Sequence, residues 1–207
     1  MTYRVVVAGA ELRMLVLAGG HRETVGVDLA TGALVRAGHP GAAPPPATFD
    51  VVAAEIAGSA EPPDDARPEA VELTAAPRRV GRMGRHRARR RLSHLAHPRR
   101  VPVLGLATDA VPYWTLAGDR PSVALLEVAT PPELRWGPSG LECAFRWAAS
   151  DHELPLTPEA AERLLAGLEA ASGDLTRVLG YWPRRLLVVL SAPVEGYCQK
   201  AVAALLP

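Results

Sequence analysis

Short runs of leucine and β-branched residues, cut every few positions by glycine or proline, fill the first two-thirds of this chain and leave little room for long helices. Four such runs occupy the beginning, Arg4–Val7, Leu12–Ala18, Thr24–Leu29 and Ala33–Arg36, separated by Gly9, Gly19-Gly20 and Gly32. Runs of this length at this spacing predict an antiparallel meander. A loop rich in proline and glycine, Gly38–Ala47, leads to a further strand over Thr48–Ile56, and Gly58–Pro68 reads as a polar connection to an edge strand at Ala70–Thr74. After Val101 the pattern resumes with Val103–Ala107, Tyr113–Leu116, Ser122–Val128 and Leu141–Trp147. Leu17-Ala18-Gly19 followed by Thr24–Val27 is echoed by Leu116-Ala117-Gly118 followed by Ser122–Leu125, which hints at a duplicated β-unit.

The last quarter changes character. Thr157-Pro158-Glu159 combines a capping hydroxyl, a proline suited to the first helical position and an acid suited to the positive helix end, so a helix is predicted over Pro158–Ala171. Its Leu164, Leu165 and Leu168 form a core-facing stripe. Leu186–Leu190 is a continuous apolar run of the kind that forms a central strand, and Val194–Leu206 reads as a closing helix. The class expected is α+β: a β-rich N-terminal two-thirds, built as an antiparallel meander or small barrel units, with C-terminal helices around a short central strand. Residues 1–76 read as a first β unit, 77–100 as a connector, and 101–207 as a second β unit with an α/β element, the whole able to pack as one domain.

With 48% hydrophobic and 22% charged residues the chain can bury a substantial core and does not have the composition of a disordered one. Arg4, Glu11 and Arg13 interrupt the apolar start, no run suits a membrane-spanning helix, and the order of a signal peptide is missing. A cytoplasmic protein is expected. Cys143 and Cys198 stand far apart and outside any C-x-x-C pairing, so two buried thiols are expected rather than a disulfide or a zinc ribbon.

The connector holds the most distinctive charge pattern. Arginine outnumbers lysine 22 to 1, as in the products of GC-rich genomes, but that bias does not explain placement. Arg78, Arg79, Arg82, Arg85, Arg87, Arg89, Arg90, Arg91, Arg99 and Arg100 fall in one segment without an acid, which carries +10 in a chain of net +1, so the remainder carries −9. Part of that negative charge lies just upstream, at Asp50, Glu55, Glu61, Asp64, Asp65, Glu69 and Glu72. Arg78–Gly84, with two glycines, is expected to be irregular; Arg85–His97 lacks Gly and Pro and predicts a short helix with Leu92 and Leu95 on one side, ended by Pro98.

Guanidinium groups stay charged, fit phosphate with a planar fork and release condensed counterions on docking, so the segment points to a polyanion, nucleic acid foremost. Folding back onto the acidic stretch to balance charge is the structural alternative. No aromatic residue interleaves the arginines; Tyr113, Trp114, Trp136, Phe145 and Trp147 lie downstream, where alternate positions in a β unit favour the core. His86, His94 and His97 extend the basic surface, because the set is incomplete for a metal and the guanidinium groups repel a cation. Asp109, Asp119 and Asp151-His152-Glu153 are the places for acid–base chemistry, although neighbours on a strand face opposite sides. Cys198 has no assigned base, and no phosphate-binding loop motif occurs. The function expected is a non-enzymatic nucleic-acid-binding accessory protein that contacts DNA or RNA through the backbone, without metal, cofactor or membrane. The alternatives are an adaptor whose basic segment docks on an acidic protein, and a metal-dependent hydrolase acting on nucleic acid.

Overall fold

The structure, a computed structural model, describes residues 9–41, 44–58, 64, 66–116, 120–138, 140–170 and 175–207. The fold is a β-rich α+β fold, with thirteen strands in three sheets and three short helices among the described residues. The chain divides into two compact units, Met1–Leu95 with Leu116–Val123, and Ala96–Thr115 with Ala124–Pro207.

In the first unit the meander forms as β1 (Glu11–Gly19), β2 (Glu23–Asp28) and β3 (Leu34–Gly38), and the chain then crosses to β4 (Asp50–Glu55) on the other side of β1. The edge strand β5 (Ala70–Glu72) pairs in parallel with β3, and β6 (Arg78–Arg82) pairs antiparallel with β4. The order is β5-β3-β2-β1-β4-β6. An Ile56–Leu73 bridge, with Ala57 N–H donating to Glu72 O and Thr74 N–H to Glu55 O, ties the continuations of β4 and β5 together and curls the sheet into a half-barrel. Alternate residues point inward, and Leu12, Met14, Val16, Val35, Ala37, Val52, Ile56, Val71 and Leu73 form its core. Gly26 must be glycine for space, since a Cβ there would run into the Leu15 carbonyl and the Met14 side chain.

Two polar clamps sit on this frame. Arg36, almost wholly buried, donates from Nε and Nη2 to the two carboxylate oxygens of Glu23 at 3.1 and 2.9 Å. Glu69 accepts from the Ser122 N–H and hydroxyl, 2.7 Å for the latter, and so holds the Leu116–Val123 segment to the unit.

The second unit contains β7 (Ala110–Pro112), β8 (Val123–Glu127), β9 (Glu133–Gly137), β10 (Gly140–Trp147), β11 (Ser150–Pro155), β12 (Arg185–Leu190) and β13 (Tyr197–Leu206), β8 beginning at the boundary. They form a three-stranded sheet, β11-β10-β9, and a four-stranded sheet, β7-β13-β12-β8. Pro158–Ala170 is helical, with the Ala160 N–H reaching the Thr157 hydroxyl at 3.3 Å as the capping sequence requires.

Several expectations need correction. Val194–Leu206 is not a closing helix: Gly196 turns the chain at φ +83°, and Tyr197–Leu206 is the strand β13, which lies between β7 and β12 with nearly every residue buried. A helix could bury only one stripe of those residues, so pairing on both edges overrides the helix preference of its alanines. Val103–Ala107 and Tyr113–Leu116 are not strands; single 3₁₀ turns occupy Val103–Gly105 and Tyr113–Thr115. Leu104 and Gly105 both take positive φ, which no strand accommodates. Arg78–Gly84 is not irregular, because β6 follows β4 and accommodates one extra residue as a bulge near Gly81. The echoed segments differ: β1 and β2 are a hairpin, whereas Ser122–Leu125 runs into β8 and Leu116 lies outside any strand. The strand expected at Arg4–Val7 lies outside the described residues, as do Ala117, Gly118 and much of Gly58–Pro68.

Candidate nucleic-acid interface

Eight of the ten segment arginines belong to the first unit and Arg99 and Arg100 to the second; all ten are exposed. On β6 the strand pairing brings two of them to one carboxylate. Asp50, buried at the start of β4, receives Arg79 Nε at 3.2 Å and Arg82 Nη1 at 3.3 Å on the same Oδ1, while its Oδ2 accepts the Ala47 N–H. Two other upstream acids are engaged elsewhere. Asp64 is held by Arg67, which together with the Ala66 N–H keeps its carboxyl below the usual range against the opposing effect of burial. Glu69 is taken by Ser122, and Glu61 and Asp65 lie outside the described residues.

Helix α1 spans Arg85–Leu92, shorter than expected, and Leu95 falls beyond it. Its contact with the unit is one stripe, the buried Ala88 and Leu92 at i and i+4 spacing. Arg85, Arg87, Arg89, Arg90 and Arg91 cover the remaining surface. Gly84 supplies no capping side chain and the first turn holds no acid, whereas Arg89, Arg90 and Arg91 in the last turn suit the negative helix end. Arg91 is tethered, donating from Nη2 to Leu29 O at 2.8 Å. The side chains of Arg78, Arg87, Arg89, Arg90 and Arg100 have no hydrogen-bond or ion-pair partner among the described residues.

The histidines separate. His86 and His94 are exposed, but His97 turns inward, donating from Nε2 to Pro102 O at 3.0 Å, its ring 5.6 Å from Trp147. No group of three His, Cys, Asp or Glu suited to a metal occurs among the described residues. The aromatics separate too: Phe145 and Trp147 are core, while Tyr113, Trp114 and Trp136 are exposed, Trp114 meeting Tyr197 edge to face.

Of the acid–base positions, Asp109 is held by Lys200 Nζ at 3.2 Å, and Asp151 faces Arg146 across β10 and β11. His152 points to the opposite side, stacked on Phe145, and burial pushes its pKa below the usual imidazole range; Asp109 works against that shift. Asp119 lies outside the described residues. Both thiols are buried, and burial raises that of Cys143 to about 12. Lys200 is the residue that sequence reading missed. Its buried ammonium, bonded also to Leu106 O, becomes visible only once Tyr197–Leu206 is a strand that places Lys200 two residues from the buried Cys198 and Val202, on the same side of the sheet.

No family model, curated protein or solved structure matches this chain.

Proposed function

We propose that this protein binds nucleic acid through the sugar–phosphate backbone, with α1 and β6 as the contacting elements. One observation carries the reading: an eight-residue helix exposes five arginines, and the guanidinium groups of three, Arg87, Arg89 and Arg90, have no partner among the described residues. Like charges at i and i+4, here Arg85 with Arg89 and Arg87 with Arg91, each destabilise a helix by about 0.2–0.5 kcal/mol. A bound polyanion removes that repulsion and gains from it. The order β5-β3-β2-β1-β4, with β3 and β5 parallel, also resembles the connectivity of OB-type barrels, a scaffold used for oligonucleotides; this support is analogy at the level of fold. Evenly charged arginines without base-reading side chains favour contacts that tolerate any sequence.

The test is binding of single- and double-stranded oligonucleotides over a salt series, comparing the wild type with an Arg87→Ala, Arg89→Ala, Arg90→Ala variant. Those three side chains make no hydrogen bond or ion pair among the described residues, so folding is expected to be preserved, while Arg91 keeps its tether to Leu29. Affinity for duplex falls with salt, with a slope of about −0.9 per phosphate neutralised, and the variant's slope is shallower by up to about 2.7. Absence of binding at low salt overturns the reading. Salt-sensitive binding to an acidic protein alone transfers the segment to a protein partner, and cleavage that requires a divalent metal transfers it to a hydrolase.

A further inference from the structure

The sheet edges of this protein are not equally protected. Edge strands invite pairing with other chains unless they are short, covered, charged or interrupted by proline. β6 carries Arg78, Arg79 and Arg82, all of one sign. β7 has three residues and ends on Pro112. The outer side of β8 is occupied by Ala96, bridged to Leu125, and by the His97 N–H, which donates to Leu125 O at 2.7 Å. β9 differs from each of these: it is five residues long and forms the outer edge of its sheet.

The two faces of β9 also differ. Leu134 lies opposite Cys143 and Trp136 opposite Leu141, which places both on the apolar face that buries Leu141, Cys143, Phe145 and Leu154. Trp136 is nevertheless 74% exposed. Glu133 and Arg135 stand on the other face, joined at 2.6 Å. The charges that guard this strand therefore leave its apolar face unguarded, and they are of opposite sign.

We propose that β9 is a self-association surface, through which a second copy of this chain pairs antiparallel about a twofold axis at Leu134. In that register Leu134 meets the partner's Leu134, and each Glu133 lies opposite the partner's Arg135, so the two ion pairs recur across the interface. Pro131 and Pro132 before the strand and Pro138 after it confine the pairing to this stretch. A register centred on Arg135 sets that residue against its own copy and is disfavoured by like charge. The exposed Trp136 joins the apolar face of the enlarged sheet, a placement typical of residues that dominate interfaces. This inference is independent of the nucleic-acid reading, since no residue of α1 or β6 enters it.

Sedimentation of the full chain across a dilution series tests the proposal. The wild type associates to twice its 22.0 kDa mass. Arg135→Glu sets Glu133 against a partner carboxylate and weakens the dimer by at least about tenfold. The double exchange Glu133→Arg with Arg135→Glu restores the pairing, and it controls for folding because it keeps the ion pair within the strand. A wild type that stays monomeric, a dimer indifferent to Arg135→Glu, or a double exchange that fails to rescue each overturns it.

Discussion

His39 follows β3 and is almost wholly buried, its Nε2 3.2 Å from the Thr24 hydroxyl and its Nδ1 without a partner among the described residues. Burial lowers its pKa from 6.5, and nearby Glu23 opposes the shift only in part, being occupied by Arg36. Below 6.5 and above the lowered value, the unfolded chain holds a proton that the folded chain does not. Its contribution to stability is therefore complete above about 6.5 and is lost as the pH falls. We expect the melting temperature of the wild type to drop on acidification more steeply than that of a His39→Gln variant. Parallel curves for the two proteins would assign the acid sensitivity to another group. The buried histidine was invisible in the sequence because His39 stands at the edge of a Pro/Gly loop, and its partners, the Arg22 carbonyl and the Thr24 hydroxyl, are brought to it only by the pairing of β2 with β3.

Among the elements, β13 concentrates what tertiary pairing imposed. Its Lys200 side chain is 2% exposed, while that of its partner Asp109 is 57% exposed. Removing either partner ends the same ion pair, but the consequences differ. Lys200→Met leaves a carboxylate that water can solvate and is expected to change stability by less than about 1 kcal/mol, whereas Asp109→Ala leaves a buried ammonium without its counter-charge, held among the described residues only by the Leu106 carbonyl, and costs about 3 kcal/mol or more. Chemical denaturation of both variants measures the difference; equal losses would show that the lysine reaches solvent. At β6 the arginines act locally as well, since a one-signed edge repels its own copies. Two of them share Asp50, which accounts for part of the structural alternative of charge balance, but the α1 residues Arg87, Arg89 and Arg90 have no such acid among the described residues.

At the scale of the whole molecule, the arginine segment crosses the boundary between the two compact units at Leu95 and Ala96, and the chain later returns through Leu116–Val123 to the first. A fragment ending at Leu95 lacks Ser122, and with it both hydrogen bonds to Glu69 and the Ser122 carbonyl near Arg36. It is expected to unfold at a lower denaturant concentration than the first unit does in the full chain, as read by circular dichroism and by hydrogen exchange at β1–β5. An unchanged midpoint would show that the returning segment adds no stability. Among the described residues no helix is long and apolar enough to cross a membrane.

Local patterns determined much of this protein. The meander of β1–β3, the strand at β4, the capped helix after Thr157, the central strand β12 and the two buried thiols all follow from period, turn residues and capping chemistry, which act over a few positions. So does the arginine segment, whose charge lies in the clustering of arginines along the sequence and needs no fold. What tertiary structure alone decided is which partner each residue meets. It turned the alanine-rich C-terminal stretch into a strand by pairing both its edges, and it made β6 a strand by laying it along β4. Lys200 and His39 entered the interior, and Trp136 was left uncovered at a sheet edge. Each of these outcomes depends on contacts between residues distant in sequence, whose energies no local window contains.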